Sequence, residues 1–292
     1  MREPKIAERL PEGYDVESGA EGILALSREM GPALRSAGYG LSSDGAATAS
    51  VLAGRKPLFE LTTSAGVFLV RRFSHGGLLR FLTRERFRDP SRPFRELAVS
   101  SSLARAGVGT PLVAAARARP APGFGWKLEI VTRRIEGAVD LDAVLTDARA
   151  GRVDRRSIAR LARAAGGLVR AMHDAGCSHA DLTTKNMLVE AASMGDRFPR
   201  TWILDLDRAR IVQSLAESER RAGLARLYRY VRRRERAQGA GLARTDWPRF
   251  LAAYEPDRRT RRLLARAILR AHGRSLVWHA LGWRLERIFR RA

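Results

Sequence analysis

The sequence predicts an α+β chain built as two successive lobes, the first rich in strands and the second mostly helical. Three observations carry that expectation. Between Ala49 and Phe73, short apolar runs are separated by Gly, Pro and Ser. Further on, Ile158, Leu161, Ala165, Leu168 and Met172 recur at helical spacing and lead into a polar loop. From Ser214 onward the chain is strongly basic and keeps a helical pattern.

Taken in order, residues 1–48 read as a leader and one helix. Leu24, Leu26, Met30 and Leu34 fall near one face, and Gly38-Tyr39-Gly40 ends it. Val51-Leu52-Ala53, Leu58 to Leu61 and Gly66 to Val70 are strand candidates, closed by Gly76-Gly77. Phe94 to Ala106 predicts a helix stopped by Gly107. Leu112 to Arg117 and Lys127 to Arg133 predict two more strands around the turn-rich Arg119 to Gly125. Glu136-Gly137-Ala138 reads as a hinge, which gives a strand-rich lobe over 49–135 and a helical lobe over 136–292. In the second lobe, Leu141 to Ala148 is a short helix and Ser157 caps another that runs to His173. Met187-Leu188-Val189 and Trp202-Ile203-Leu204 are short strands. Breaks fall at Gly239 to Gly241, Pro248, Pro256 and Gly273.

Composition narrows the class. With 45% hydrophobic residues over 292 positions, the chain has ample material for a core. No apolar run approaches about 18 residues, so no helix is expected to span a bilayer. The charged start, Met1 to Lys5, is not followed by an apolar stretch and argues against a secretory signal. One cysteine, Cys177, excludes an internal disulfide and a cysteine metal cluster; it reads as a buried structural thiol. A cytoplasmic protein is the expectation. The net charge is +23, and only four of the 54 basic residues are lysines. Such a field favours nucleic acid, an anionic membrane surface or a phosphorylated lipid. Nothing resembles a zinc finger or an aromatic-interleaved single-strand platform, so nucleic acid is the least expected of the three.

The polar loop is the chemically informative stretch. His179-Ala180-Asp181-Leu182 is followed by Asn186, and Asp205-Leu206-Asp207 closes the second apolar run. An Asp, an Asn five residues on and another Asp about twenty residues later is the layout of phosphoryl transfer. In that chemistry the first carboxylate orients the acceptor hydroxyl, while the amide and second carboxylate hold Mg2+ on the ATP phosphates.

On these residues the chain resembles the lipopolysaccharide kinase family, and within it the bacterial 3-deoxy-D-manno-octulosonic acid (Kdo) kinases. Ile203 to Arg210, Leu69 to Phe73 before Gly76-Gly77-Leu78, and Arg92 to Glu96 add to the likeness, which covers roughly residues 50–215. The resemblance implies a two-lobed protein-kinase-like fold and ATP with Mg2+. It also implies transfer to a sugar hydroxyl of a lipid A precursor, at the cytoplasmic face of the inner membrane. A heptose kinase of the same family and a non-catalytic kinase-like protein that binds polyanions are the competing readings.

Each residue has a functional and a plain reading. Asp181 is the catalytic candidate, against an Asp that merely caps its own loop. Asn186 and Asp205 are the metal candidates, Asn186 against a turn-stabilising amide; Asp207, the second carboxylate, is open between metal and pairing with Arg208 or Arg210. His179 is expected to hold the loop rather than act as a base. Arg71 stands where a phosphate-anchoring lysine is due, with Lys56 as the nearby alternative and Arg not an equal substitute. Glu96 is the expected partner of Arg71, against a solvated helix charge. Gly54 is placed to bend a phosphate-covering loop, against an ordinary hairpin turn. The run Ser275 to Arg291, with Trp278 and Trp283 beside a basic face, fits either a membrane interface or a core helix.

Overall fold

The computed structural model describes residues 10–49, 58–74 and 85–272. The chain divides into two compact units, Met1–Glu136 and Gly137–Ala292. The first unit holds a seven-stranded antiparallel sheet. Its strands are β1 (Tyr14–Gly19), β2 (Gly22–Ser27), β3 (Thr48–Ala49), β4 (Leu58–Thr63), β5 (Gly66–Arg72), β6 (Val113–Pro120) and β7 (Trp126–Arg133). They lie in the order β1-β2-β6-β7-β5-β4-β3. Helix α1 (Gly31–Ser36) follows β2, and α2 (Arg92–Arg105) precedes β6.

The start of this unit departs from the sequence reading. Residues 14–27 are a hairpin in the sheet, not a leader and helix, and only 31–36 are helical. All six residues of β2 are buried, so its sequence shows no polar alternation, and the leucine spacing mimics a helix. Gly22, at φ +133°, lets β2 approach β6, because a Cβ there would sit 2.2 Å from the Ala118 carbonyl oxygen.

Successive side chains of a strand face opposite ways, and the core divides accordingly. Ile23, Ala25, Phe73, Ala116, Leu128 and Ile130 pack with Phe94 and Leu97 of α2. Leu24, Leu26, Phe68, Val70 and Val131 pack with Met30, Leu34 and Tyr39. On β5 the alternation sends Phe68 and Val70 to the second cluster and leaves Arg71 on the side of Phe73 and α2.

The second unit contains β8 (Ala138–Asp140), α3 (Leu141–Arg149), α4 (Arg155–Asp174), β9 (Cys177–Ser178), β10 (Met187–Glu190), β11 (Thr201–Ile203), β12 (Arg210–Ile211), α5 (Glu217–Gln238) and α6 (Asp246–Tyr254). A further helix covers 258–272. Asp140 caps α3 by accepting from the Ala143 amide. Asp154, not Ser157, caps α4, accepting from the amides of Arg156 and Ser157, while the Ser157 hydroxyl donates to its other oxygen at 2.6 Å. The helix therefore starts earlier than its apolar pattern does. Its buried stripe of Ile158, Leu161, Ala165, Leu168, Val169 and Met172 meets α6. Gly166 makes the close approach possible, since a Cβ there would lie 2.2 Å from the Phe250 carbonyl oxygen. Pro248 is not a break: it sits in the first turn of α6, where its missing N–H has no helical partner to lose. Val51 to Ala53, Gly54, Lys56, Gly76-Gly77, the Gly273 break and the Ser275 to Arg291 run lie outside the described residues.

Candidate active site

The polar loop runs between β9 and β10, and a pair of short antiparallel ladders frames it. β10 pairs with β11, Met187 opposite Ile203. This brings Asn186 next to Leu204, whose amide donates to the Asn186 carbonyl at 2.8 Å. β12 pairs with β9, Arg210 opposite Ser178. The chain after Asp205 therefore folds back beside the strand that leads into His179. Asp181, Asn186 and Asp205, on three successive short segments, are carried by one small framework.

His179 ties the framework together. It is buried, its Nε2 lies 2.8 Å from the Leu204 carbonyl, and its Nδ1 accepts the Asp181 amide at 3.1 Å. A carbonyl only accepts, so Nε2 carries the proton and the imidazole is neutral. Burial holds its pKa below the ordinary histidine value, against the opposing pull of the Leu204 carbonyl and of Asp205 and Asp181. The Arg226 guanidinium donates to the His179 carbonyl at 3.2 Å. This ring bridges the segments before Asp181 and before Asp205, and its one proton is committed to a carbonyl.

Asp181 is exposed and Asn186 half-buried. The Asn186 amide nitrogen donates to the Asp181 carbonyl at 2.8 Å, with the Asp181 carboxylate at 3.4 Å. The amide carbonyl oxygen is thereby turned away from Asp181. Asp205 is exposed and takes a left-handed backbone, φ 56° and ψ 61°, which among non-glycine residues Asp and Asn tolerate best. That turn separates β11 from the single helical turn Leu206–Arg208. Arg210 pairs with Glu219.

Among the described residues, no group of three or more His, Cys, Asp or Glu side chains is arranged to hold a metal ion. One carboxylate with one amide oxygen nevertheless suits Mg2+, which takes few protein ligands and completes its shell with water and phosphate. The donor set at Asn186 and Asp205 fits that ion and suits a soft metal poorly.

In the first unit, Arg71 on β5 meets Glu96 on α2. The Nη2 group donates to both carboxylate oxygens, at 2.6 and 2.5 Å, and the guanidinium stands 4.6 Å from the Phe73 ring centroid. The pair is largely buried, with side-chain exposures of 20% and 8%. Gly54 and Lys56 lie outside the described residues. Cys177 is a free, buried thiol, and burial pushes it up to about 12, which leaves it unreactive.

Two polar networks escape a pattern reading. In the first unit, Arg117 of β6 is fully buried against Glu129, Asp44, and the carbonyls of Gly40 and Ser43. A charge inside the apolar stretch Val113 to Ala118 is the signal that marks it. In the second unit, Asp142 of α3 accepts from Thr184 of the loop and Tyr230 of α5, and pairs with Arg234. An acid in a first helical turn is ordinary, and nothing in the sequence sets Asp142 apart.

A sequence model described as "Lipopolysaccharide kinase (Kdo/WaaP) family" matches residues 53–254. The 3-deoxy-D-manno-octulosonic acid kinase of Actinobacillus succinogenes is 27% identical over 190 residues, covering 64% of this chain and 74% of that protein. The enzyme of the same name from Haemophilus influenzae is 28% identical over 190 residues, covering 63% and 74%. Among solved structures, "WaaP in complex with acyl carrier protein" superposes with a TM-score of 0.54 at 25% identity, covering 78% of this chain and 89% of that one.

Proposed function

The chain belongs to the lipopolysaccharide kinase (Kdo/WaaP) family, which makes it a phosphotransferase acting on a sugar hydroxyl with a kinase-like fold, and we propose that ATP is its donor and the Kdo sugar of a lipid A precursor its acceptor. The observation that carries the reading is the bond from the Asn186 amide to Asp181 beside the Asn186–Leu204 backbone link. It sets a carboxylate, an amide oxygen and the Asp205 carboxylate on one framework, as in-line transfer requires. The relatives named as Kdo kinases support the choice of sugar.

In this reading Asp181 holds the acceptor hydroxyl and takes its proton as the oxygen bonds to the γ-phosphorus. The bond from that phosphorus to the β–γ bridging oxygen breaks, and ADP leaves. A loose transition state asks for positioning more than for strong basicity, so a well-placed carboxylate suffices. Asn186 and Asp205 hold Mg2+, which when bound neutralises charge on the phosphate oxygens. Arg71, fixed by Glu96, contacts the phosphates. His179 stays neutral and keeps the two segments in register.

The site of action is proposed to be the cytoplasmic face of an anionic membrane. Among the described residues, no helix is long and apolar enough to cross a bilayer. Support for surface contact comes from the helix over 258–272, whose exposed side combines Arg259, Arg262, Arg266 and Arg270 with Leu263 and Leu269, 57% and 51% exposed.

The test is phosphate transfer from Mg-ATP to purified acceptors, with mass spectrometry of the lipid product. Kdo-terminated precursor should be phosphorylated in preference to heptose-extended precursor, and Asp181→Ala should lower turnover by about 1,000-fold or more with its fold intact. Full activity in that variant overturns the mechanism; preference for the heptose acceptor overturns the substrate.

A further inference from the structure

We infer that Asp142 is a positioning residue for phosphoryl transfer, acting through Thr184 on the loop that carries Asp181 and Asn186. The inference rests on the roles proposed above for those two residues. Both ends of the loop are held near Leu204, by His179 and by the Asn186 carbonyl. Between those ends, Thr184 reaches across to α3, its hydroxyl donating to Asp142 Oδ1 at 2.8 Å. Thr184 lies three residues after Asp181 and two before Asn186, and it starts the single turn Thr184–Asn186. A shift of this one side chain would change how the two functional residues are spaced.

The carboxylate is built to stay put. Tyr230 donates to the same Oδ1 at 3.0 Å, and Arg234 Nε stands 3.1 Å from it. Arg234 also donates through Nη2 to the Asp142 carbonyl at 2.9 Å and to the Thr146 hydroxyl at 2.6 Å. Side-chain exposures of 11% for Asp142 and 4% for Arg234 show that both charges are withdrawn from water. Removing either partner would leave the other charge buried and uncompensated. An ionised carboxylate accepts and does not donate, so the Thr184 hydroxyl has one orientation available. Burial, followed by the Asp142 charge, pushes the Tyr230 phenol up to about 12, which keeps it a donor at working pH. The loop is thus pinned to α3 and α5 by a bond whose direction is fixed. Transfer rates depend steeply on placement, with about 100-fold lost for a displacement near 1 Å.

A matched pair of variants tests this. Thr184→Val and Tyr230→Phe each remove one hydroxyl donor from the same carboxylate oxygen, but only Thr184 belongs to the loop. The expected result is similar thermal midpoints, with kcat reduced on the order of 100-fold in Thr184→Val and less than about fivefold in Tyr230→Phe. The Mg2+ concentration for half-maximal rate should rise in Thr184→Val, and Thr184→Ser should recover most of kcat. If Thr184→Val fails to fold by circular dichroism, Thr184→Cys, a weaker donor of similar volume, is read instead and should lose at least about fivefold in kcat. Equal losses in the Val and Phe variants, or wild-type kcat and Mg2+ dependence at position 184, would overturn the inference. Asp181→Ala assayed in parallel separates the two layers. An inactive Asp181 variant beside a fully active Thr184 variant sinks only this proposal, whereas an active Asp181 variant sinks the mechanism beneath it.

Discussion

The two units bury polar groups in different ways. The first concentrates charge: Arg117, with no exposed side-chain surface, meets Glu129 and Asp44, and Arg72 and Arg119 join the same two acids. That network fastens the Gly40 and Ser43 carbonyls to the sheet. The second unit keeps neutral groups near its loop, with His173 and His179 both uncharged and buried; of its buried ion pairs, Asp246 with Arg155 and Arg249 lies at the start of α6, while Asp142 with Arg234 backs the loop. Charge clamps a scaffold in the first unit and, in the second, backs the loop to which the proposed mechanism gives the chemistry. The two should therefore fail under different insults.

The largest expected effect is on the first unit's clamp. Arg117→Met removes the fully buried one of the three arginines that Glu129 and Asp44 share, and stability should fall by about 3 kcal/mol in chemical denaturation. This is the low end for a broken buried pair, because Arg72 still reaches the other Glu129 oxygen at 3.1 Å. Turnover per folded molecule should stay within about twofold of wild type. A loss of turnover out of proportion to unfolding would show that the clamp also serves the chemistry and would break the contrast.

Acid should separate the units next. His173 donates to or accepts from the Tyr254 hydroxyl at 2.8 Å, and burial lowers it from 6.5 to about 4, with Arg220 adding to the effect. The folded state disfavours the proton, so the stabilisation is complete above pH 6.5 and is lost as the pH falls toward 4, by about 3 kcal/mol in all. Asp44 behaves otherwise: burial alone would raise its pKa, but the Arg117 hydrogen bond and charge hold it below 3.8. Its contribution is intact until the pH falls below that value. Thermal melts between pH 7 and 4 should show the loss, and His173→Gln should flatten it. An unchanged pH slope in that variant would assign the sensitivity elsewhere.

The smallest effect is expected at Arg71–Glu96, the ion pair of the first unit to which the proposed function gives a role in catalysis. Glu96→Gln keeps the shape of the contact and removes its charge, and the KM for ATP should rise about tenfold, with a smaller fall in thermal midpoint than in Arg117→Met because Arg71 keeps some exposure to water. A change in stability without a change in KM would reclassify this pair with the Arg117 clamp.

How much of this was legible in sequence follows from what the pattern encodes. Met187 to Val189 and Trp202 to Leu204 read correctly as strands because each is a short apolar run beside polar residues. The loop between Asp181 and Asn186 was visible because its polar run interrupts the apolar pattern on either side, although Thr183 and Thr184 are themselves buried. β2 was misread because a strand buried on both sides loses the alternation that identifies strands. Asp142 was invisible because its partners, Thr184 and Tyr230, lie 42 and 88 positions away. Local periodicity reports which face of an element is apolar; it does not report which distant hydroxyl that element will meet.

The β9–β12 pair has a kinetic consequence. Cys177 opposite Ile211 closes the chain into a loop that contains Asp181, Asn186 and Asp205 together with the β10–β11 ladder. The ladders inside it join residues close in sequence, so the entropy of bringing these three side chains together is small. The segment's own pairings can therefore form early, and the longer-range contacts of Thr184 with Asp142 and of β10 with β8 complete its geometry.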